Sequence, residues 1–324
     1  MKVFPKSCIT TLTLGLIVSA QAETLSATVD AARAVAKKTS RTTTTTTTTT
    51  TPTYYSWMSS EIQDAWNQGY MGQGVTIFDV DQFSGSGAFS GNFTGTAKTQ
   101  LHGYWTRDEI SLISPQATIK SIDFNTTKTA LSLSKTGLNV VNASYGLYAT
   151  TGYSVSQLNF GTLQNSVINS AKQGTAVVAK AAGNYAVAVD GSYQGTTDYM
   201  NLALKGATSA IYVGALNKNG TTTSQATLAS YSNYAGTDSS IQSHFLVVGV
   251  QGSTTGLYGT SFAAPVISSY SAIIGSKFKT ANATQITNQL LNTARKDTIS
   301  NYSAEVYGQG EASLTRALAP VSIK

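Results

Sequence analysis

The chain has 324 residues, of which 41% are hydrophobic and only 11% are charged. This length suits one large domain or two small ones, and the composition excludes a disordered polyelectrolyte. The formal net charge is +6, but most of the excess lies before Pro52, and the remaining region is close to neutral. Because no strongly basic field remains there, the sequence does not favour nucleic acid as a partner.

The first 22 residues follow the pattern of a secretory signal peptide. Lys2 and Lys6 precede an apolar stretch, and Ala20-Gln21-Ala22 offers a small-x-small cleavage site. The apolar stretch is too short to span a membrane, and the alternative interpretation is a buried N-terminal helix. Cys8 is the only cysteine, so the mature chain would have no disulfides and no thiol chemistry. We therefore expect a secreted or periplasmic protein whose mature chain does not span the membrane.

Two segments of unusual composition follow. Residues 23–41 place apolar side chains near one helical face, which indicates a short helical or pro-like segment. Residues 42–51 are all threonine, and such a homopolymer has nothing large to bury. We predict an exposed Thr-rich linker over residues 42–53 and one folded domain over residues 54–324.

Strands alternate with helix-length segments throughout that domain. This alternation predicts an α/β fold with a doubly wound, mostly parallel sheet and helices on both faces. In such sheets, active sites gather at the carboxyl ends of the strands. The predicted strands are Gly74 to Asp81, Ala117 to Phe124, Leu138 to Tyr145, Thr175 to Asn184 and Ala210 to Leu216, and the predicted helices cover 155–172, a segment that begins at Ser261, and 284–293.

The segment GTSFAAP, residues 259–265, joins a glycine-bearing turn to a long apolar run. Thr260 or Ser261 fits the N-cap of the helix that follows, and Pro265 falls early enough in that helix to be tolerated. A nucleophile at Ser261 would explain more of the segment. Gly259 would let a substrate approach closely, and a helix N-terminus stabilises the negative charge that develops in acyl transfer.

A serine hydroxyl is a weak nucleophile without a base, and the chain has only two histidines. His102 precedes a predicted helix, from which its side chain can project into a cleft, whereas His244 abuts an apolar strand and fits a structural role. Asp79 and Asp81 end the first predicted strand two residues apart, so both face the same side. Either carboxylate can orient a histidine, and both also fit a solvated strand end. Asn184 follows the fourth strand, where it fits a turn cap or a donor to an oxyanion.

The motifs resemble those of the subtilisin-like serine proteases, or subtilases, over the region from Trp57 to Ala319. The segment GTSFAAP is similar to the Gly-Thr-Ser-x-Ala-x-Pro nucleophile motif of that family. AAGN is similar to its oxyanion motif, and VVNASYG to its substrate-binding strand. The resemblance implies catalytic roles for Asp81, His102 and Ser261, an oxyanion role for Asn184, and substrate binding along Ser144, Tyr145 and Gly146.

Two segments depart from the family pattern. Asp81 is followed by Gln82-Phe83 where Thr/Ser-Gly is usual, and His102-Gly103 is followed by Tyr-Trp where Thr-His is usual. Asp79 therefore stays an alternative to Asp81 as the acid that orients the histidine. No acidic cluster with calcium-ligand spacing stands out, so we assign no metal site and expect no cofactor.

The resemblance implies a divergent, secreted serine endopeptidase that hydrolyses a polypeptide substrate and acts as a monomer. The alternative is a non-catalytic protein of the same fold that serves in binding or scaffolding. Asp81, His102, Asn184 and Ser261 follow one another in the family's order, and all four chemical positions are kept. This completeness favours the enzyme.

Overall fold

The computed structural model describes residues 52–323. The predicted signal peptide, the segment 23–41 and the ten threonines lie outside the described residues, so their assignments stay predictions. No helix described within residues 52–323 has the length and apolar character needed to cross a membrane.

Strands and helices alternate along the described residues, and the central strands are buried on both faces, as their runs of Val, Ile and Ala require. The strands are β1 Thr76–Asp81, β2 Phe89–Gly91, β3 Lys98–Gln100, β4 Thr118–Asp123, β5 Asn139–Ala143, β6 Tyr148–Thr150, β7 Val177–Ala181, β8 Ser192–Tyr193, β9 Thr196–Asp198, β10 Ala210–Leu216 and β11 Phe245–Gly249. The helices are α1 Ser60–Asn67, α2 His102–Ile113, α3 Thr162–Lys172, α4 Tyr199–Leu204, α5 Ser239–Gln242, α6 Gly252–Thr255, α7 Ala264–Lys277, α8 Ala283–Asn292, α9 Ala304–Tyr307 and α10 Leu314–Leu318.

Six of these strands form one parallel sheet in the order β11-β10-β7-β5-β1-β4. At its centre Val80 lies opposite Ala143, and Ala143 lies opposite Lys180. The chain passes from β1 to β4 on one side and returns to β5 on the other, so the winding direction reverses at β1. In open α/β sheets, ligands bind in the crevice at such a reversal, outside the carboxyl ends of the strands. Two small antiparallel sheets, β2-β3 and β6-β9-β8, lie apart from the main sheet.

Helices cover both faces of the sheet and form two apolar layers. One layer contains α1, α2, α7, α8 and α10, and the other contains α3 and α4 together with α9. Helix α7 is buried along nearly its whole length, as expected for a helix with apolar residues on every side. This central helix contacts β5 and β7 directly, so the residues that precede it are held at the edge of the sheet.

Polar side chains at the helix starts explain where several helices begin. The Ser59 hydroxyl accepts the Glu61 N–H at the start of α1. At the start of α8, Asn282 and Gln285 bond each other's backbone N–H groups in a capping box. Such caps satisfy N–H groups that have no partner inside the helix.

The predicted fold class is confirmed, and two boundaries differ from the prediction. The segment 155–172 is not one helix, because the backbone of Gly161 is not helical, with ψ 167°, and α3 begins only after it. A glycine in a helix interior is destabilising, which explains the break. The second difference concerns α7, which starts at Ala264, after a separate 3-10 turn over Thr260–Phe262.

Candidate active site

Three neighbouring strands end at one edge of the parallel sheet, and the predicted site residues follow them. β1 ends at Asp81, Ser144 comes directly after β5, and Asn184 comes shortly after β7. His102 and Ser261 reach this region from the starts of α2 and α7, which pack against each other. The predicted chemical groups therefore gather at the carboxyl edge of the sheet.

His244 lies away from this edge. It precedes β11 on the amino side of the sheet, where its Nδ1 lies 2.8 Å from the Ala210 carbonyl oxygen. A ring nitrogen that bonds the backbone in this way fits the structural role expected from its sequence context.

Asp81 and His102 are in direct contact. Asp81 Oδ1 lies 2.7 Å from His102 Nδ1, and both side chains are almost completely buried. The Gln82 N–H also donates to Asp81 Oδ1, at 2.6 Å, and holds the carboxylate in place. A carboxylate can only accept from Nδ1–H, so in the neutral ring Nε2 keeps its lone pair for another partner.

The residues beside this pair explain how α2 is held against the end of β1. The Gly103 N–H donates to the Gln82 carbonyl at 2.9 Å, and a Cβ at Gly103 would lie only 2.7 Å from that oxygen. Only glycine allows this approach. The rings of Phe83 and Tyr104 meet edge to face with centroids 5.4 Å apart, so the two departures from the family pattern pack against each other.

The electrostatic surroundings favour a charged imidazole at His102. Burial alone lowers the pKa of His102, but the negative charge of Asp81 and its hydrogen bond to the ring act in the opposite direction, and the pKa lies above the ordinary value of 6.5. A group with this pKa accepts a proton readily near neutral pH, as a general base must.

Ser261 lies in the 3-10 turn that precedes α7, beside the end of β5. Its hydroxyl donates to the Ser144 carbonyl at 3.2 Å, and the Ser144 hydroxyl donates to the Ser261 carbonyl at 2.9 Å. The next residue, Phe262, packs on the His102 ring with centroids 5.8 Å apart. Gly259 has φ +120°, a conformation that glycine adopts without strain and that makes the turn possible.

Thr260 holds the Asn184 side chain in place. The sequence suggests Thr260 or Ser261 as the N-cap of the following helix, but Thr260 bonds Asn184 instead. Asn184 Oδ1 accepts the Thr260 N–H at 2.8 Å and the Thr260 hydroxyl at 2.9 Å. The same hydroxyl accepts the Gly183 N–H at 3.1 Å, whereas no side chain caps α7. Because its oxygen is bonded twice, the Asn184 amide presents Nδ2 as its remaining group, beside the Gly259 backbone.

The segment Ser144-Tyr145-Gly146 continues the line of β5 beyond the edge of the sheet. None of the hydrogen bonds described for residues 52–323 involves the backbone of Tyr145 or Gly146. The Tyr145 side chain is buried against Phe124, with ring centroids 5.1 Å apart. The segment therefore offers backbone groups to a partner, and its tyrosine ring belongs to the core.

A buried ion pair supports this segment from below. Lys180 Nζ lies 2.9 Å from Asp198 Oδ2, and only 1% and 6% of the two side chains are exposed. Asp198 Oδ1 accepts the Leu147 N–H at 2.9 Å and the Met200 N–H at 3.1 Å. Asp198 thus joins the strand segment after Gly146 to β7 and to the start of α4.

Asp79, the alternative acid, lies two residues before Asp81 on the same face of β1, farther from the end of the strand, and is fully buried. It bonds Thr106 and Asn142 instead of a histidine. Sequence reasoning did not single out these two partners. Two signals point to them: Thr106 lies one helical turn after His102, and Asn142 lies in β5, two residues before Ser144.

No group of three or more His, Cys, Asp or Glu side chains within residues 52–323 is arranged to hold a metal ion. The edge brings together a hydroxyl, an imidazole bonded to a carboxylate, and the Asn184 amide, whose Nδ2 has no hydrogen-bond partner among the described residues. These are the groups that acyl transfer through a serine uses.

Comparison with known proteins identifies the family of the chain. A model of the subtilase family of peptidases matches residues 84–310, a range that contains His102, Asn184 and Ser261 and begins just after Asp81. No curated protein matches the chain in sequence.

Several solved structures resemble the chain in fold. A prenylagaramide maturation protease, PagA, is 16% identical with a TM-score of 0.52 and covers 80% of this chain and 98% of its own. The MycP3 protease of the type VII (ESX-3) secretion system is 17% identical with a TM-score of 0.52, over 80% of this chain and 86% of its own. A protease from Pseudoalteromonas arctica is 18% identical with a TM-score of 0.52, over 80% and 93%. Identities this low establish the fold alone, and the family match extends over well more than half of the sequence. The chain belongs to the subtilase family.

Proposed function

We propose that the protein is a serine endopeptidase in which Asp81, His102 and Ser261 form the catalytic triad. The observation that carries this proposal is the 2.7 Å contact between Asp81 Oδ1 and His102 Nδ1 at the same sheet edge as Ser261. Membership of the subtilase family supports a serine protease, and the geometry supports these particular residues.

In the proposed mechanism, Ser261 attacks the scissile carbonyl while His102 Nε2 takes the hydroxyl proton. The same nitrogen later delivers the proton to the leaving amine, and Asp81 stabilises the imidazolium in between. The Ser261 hydroxyl must first turn from the Ser144 carbonyl, to which it donates in the free protein. Catalytic hydrogen bonds often align only when substrate is bound.

Two donors would stabilise the oxyanion of the tetrahedral intermediate. Asn184 offers Nδ2, because Thr260 occupies its Oδ1. The Ser261 N–H is the second donor, and it has no hydrogen-bond partner within residues 52–323. Donors fixed before the reaction, in a site that excludes water, lower the barrier without the cost of reorganisation.

The substrate is a polypeptide, and we propose that it binds as an added strand. The unpaired backbone of Tyr145 and Gly146 continues the parallel sheet at the edge where Ser261 lies. An extended peptide there would form main-chain hydrogen bonds that hold it regardless of side-chain identity. We further propose that the protein acts as a monomer.

The experiment that tests the function compares the wild-type protein with Ser261→Ala in casein hydrolysis. We expect wild-type hydrolysis and its loss in the variant. Equal hydrolysis by both proteins would remove Ser261 from the chemistry. Absence of hydrolysis in both would favour the alternative of a binding protein with this fold.

We also propose that the protein is exported, on the strength of the basic and apolar residues before Glu23. N-terminal sequencing of the protein recovered outside the cytoplasm tests this proposal. A mature chain that begins at Glu23 would support cleavage after Ala22, and an intact Met1 in a cytoplasmic product would contradict it.

A further inference from the structure

A buried polar cluster lies behind the proposed triad, on the face of β1 that meets α2. Asp79 is completely buried at its centre. It faces the same side as Asp81, and the parallel register aligns it with Ser121 of β4 and with Asn142 of β5. Helix α2 contributes Thr106 and Glu109 from the other side.

The hydroxyl of Thr106 is the junction of this cluster. Its oxygen lies 3.0 and 3.3 Å from the two carboxyl oxygens of Asp79, 3.3 Å from Asp81 Oδ2 and 3.1 Å from the Gly103 carbonyl. If both aspartates were ionised, all of these oxygens would be acceptors. A threonine hydroxyl has a single hydrogen to donate, so it can satisfy only one of these oxygens, and a hydrogen on one of the carboxyl groups would allow a second hydrogen bond at this junction.

The number of acidic and basic groups in the cluster indicates that the additional hydrogen lies on Asp79. The cluster contains three buried carboxyl groups, those of Asp79, Asp81 and Glu109. His102 is the one basic group among its members, and it bonds Asp81. Within residues 52–323, no lysine or arginine forms an ion pair with Asp79 or Glu109. A buried ionised carboxylate without a cationic partner is strongly unfavourable.

The pKa shifts of Asp79 and Glu109 agree with an excess of acidic groups over basic ones. Burial, and after it the charge of Asp81, raise the pKa of Asp79 well above its ordinary value, against the lowering effects of Asn142, Thr106 and His102. Burial and the proximity of Asp79 likewise raise the pKa of Glu109. The side chains that bond Asp79, Asn142 of β5 and Thr106 of α2, are uncharged, and α7 contributes the uncharged Ser268, whose hydroxyl donates to Asn142 Oδ1 at 3.3 Å.

We propose that Asp79 is an uncharged positioning residue of the triad, a role that rests on the function proposed above. Its carboxyl hydrogen bonds the Thr106 oxygen, which leaves the Thr106 hydrogen to be shared between Asp81 Oδ2 and the Gly103 carbonyl. Asp81 is then held on both oxygens, by Thr106 on one and by Gln82 and His102 on the other.

The other oxygen of Asp79 connects the cluster to the nucleophile. Asn142 Nδ2 donates to Asp79 Oδ1 at 2.8 Å and to the Ser144 hydroxyl at 3.0 Å. The Ser144 hydroxyl in turn donates to the Ser261 carbonyl at 2.9 Å. One uncharged acid thus fixes the distance between the carboxylate that orients the histidine and the turn that bears the serine.

The first test compares Asp79→Ala with Asp79→Asn. The amide of asparagine offers a donor and an acceptor where the neutral acid has them, and alanine offers neither. We expect Asp79→Ala to lower kcat/KM by about tenfold to a hundredfold, since misplaced catalytic groups cost rates of this order. Asp79→Asn should restore most of this loss and keep the acidic limb of the pH–kcat/KM profile at the wild-type pH.

An ionised Asp79 predicts a different profile. Its replacement by asparagine would then remove a negative charge near His102 and move the acidic limb down by about one pH unit or more. That displacement would overturn the proposal. Failure of Asp79→Asn to fold would also count against it, because a neutral amide of the same shape should fit the site of a neutral acid.

Infrared spectroscopy at pH 7 reads the protonation of Asp79 without turnover. We expect the wild-type protein to show carbonyl stretching bands of protonated carboxyl groups, one of which is lost in Asp79→Asn. Glu109→Gln is the matched control and should remove a different band. Absence of any band that Asp79→Asn removes would overturn the proposal. The spectra do not depend on turnover and can be recorded on Ser261→Ala as well. An inactive wild-type protein would therefore contradict the proposed function, while the protonation of Asp79 could still be measured.

Thr106 provides an independent variant. Thr106→Ser keeps the hydroxyl that joins Asp79 to Asp81, and Thr106→Val removes it while keeping the shape. We expect Thr106→Val to lower kcat/KM and Thr106→Ser to retain most of the wild-type value. Equal loss in both variants would indicate that packing of the methyl group matters instead, and would contradict the hydrogen-bonded junction.

Discussion

Asp81 Oδ1 lies 2.7 Å from His102 Nδ1, whereas Asp79, two residues earlier on the same face of β1, bonds Thr106 and Asn142. Both carboxyl groups are buried, yet only one faces a base. The two aspartates therefore have different partners. In the proposed mechanism Asp81 orients His102, and Asp79 holds the surrounding groups in position.

Substitution of the two aspartates by asparagine separates these roles. Asp81→Asn should lower kcat by about 10⁴-fold, because the amide favours the wrong tautomer of the histidine. Asp79→Asn should have a far smaller effect on kcat, since it keeps the hydrogen bonds of a neutral acid. Steady-state kinetics on a peptide substrate checks the ranking, and a larger loss for Asp79→Asn would move the orienting role to Asp79.

The pH dependence of activity reports the state of His102. The imidazole must be neutral to accept the serine proton, so kcat/KM should rise as the pH increases through the pKa of His102. Because the charge and the hydrogen bond of Asp81 act against the effect of burial and the net shift of the pKa is upward, this acidic limb should have its midpoint above 6.5. Asp81→Asn, with its residual activity, serves as the control and should move the midpoint downwards. A wild-type midpoint below 6.5 would contradict the assignment of His102 as the base.

Asn184 should act on the transition state more than on substrate binding. Asn184→Ala removes one donor to the oxyanion and should lower kcat by about a hundredfold to a thousandfold, with little change in KM. Thr260→Val should show a smaller loss of the same kind, because it frees Asn184 Oδ1 from the hydroxyl that holds it. Thr260→Ser is the matched control and should stay close to wild type. An effect confined to KM in Asn184→Ala would instead place this side chain in substrate binding.

The Lys180–Asp198 pair should matter for stability. Asp198→Asn keeps an oxygen for the Leu147 N–H but leaves the buried Lys180 without its counter-charge, which we expect to lower the free energy of unfolding by about 3–5 kcal/mol. The exposed pair of Arg316 and Asp297 offers the comparison, since Asp297→Asn should cost no more than about 1 kcal/mol. Chemical denaturation measures both, and equal small losses would show that Lys180 is solvated.

Much of the fold and of the site could be predicted because local patterns determined them. The apolar runs of β1, β5 and β7 are short and end in polar residues, so the sequence already indicated where Asp81, Ser144 and Asn184 would meet. The reversal of winding at β1 could not be derived from such runs, because it depends on which strands pair.

The choice between Asp79 and Asp81 also lay beyond local reasoning. Period-two alternation placed both on one face, but the acid that meets His102 depends on how α2 approaches β1. That approach is set by the contact of Gly103 with the Gln82 carbonyl, a contact between residues distant in sequence. Lys180 was a missed signal of another kind: a lysine inside the apolar run VVAKAA requires a buried partner, but nothing nearby in the sequence identifies Asp198.

Labelling with a fluorophosphonate probe tests the central claim most directly, because the probe reacts only with a serine activated by its surroundings. Mass spectrometry of the purified protein should find the adduct on Ser261, and Ser261→Ala and His102→Ala should not be labelled. Thr260→Ser, which leaves the triad intact, should be labelled like the wild type. The proposed mechanism would be contradicted by a folded wild-type protein that is not labelled at Ser261. It would also be contradicted if His102→Ala were labelled as strongly as the wild type.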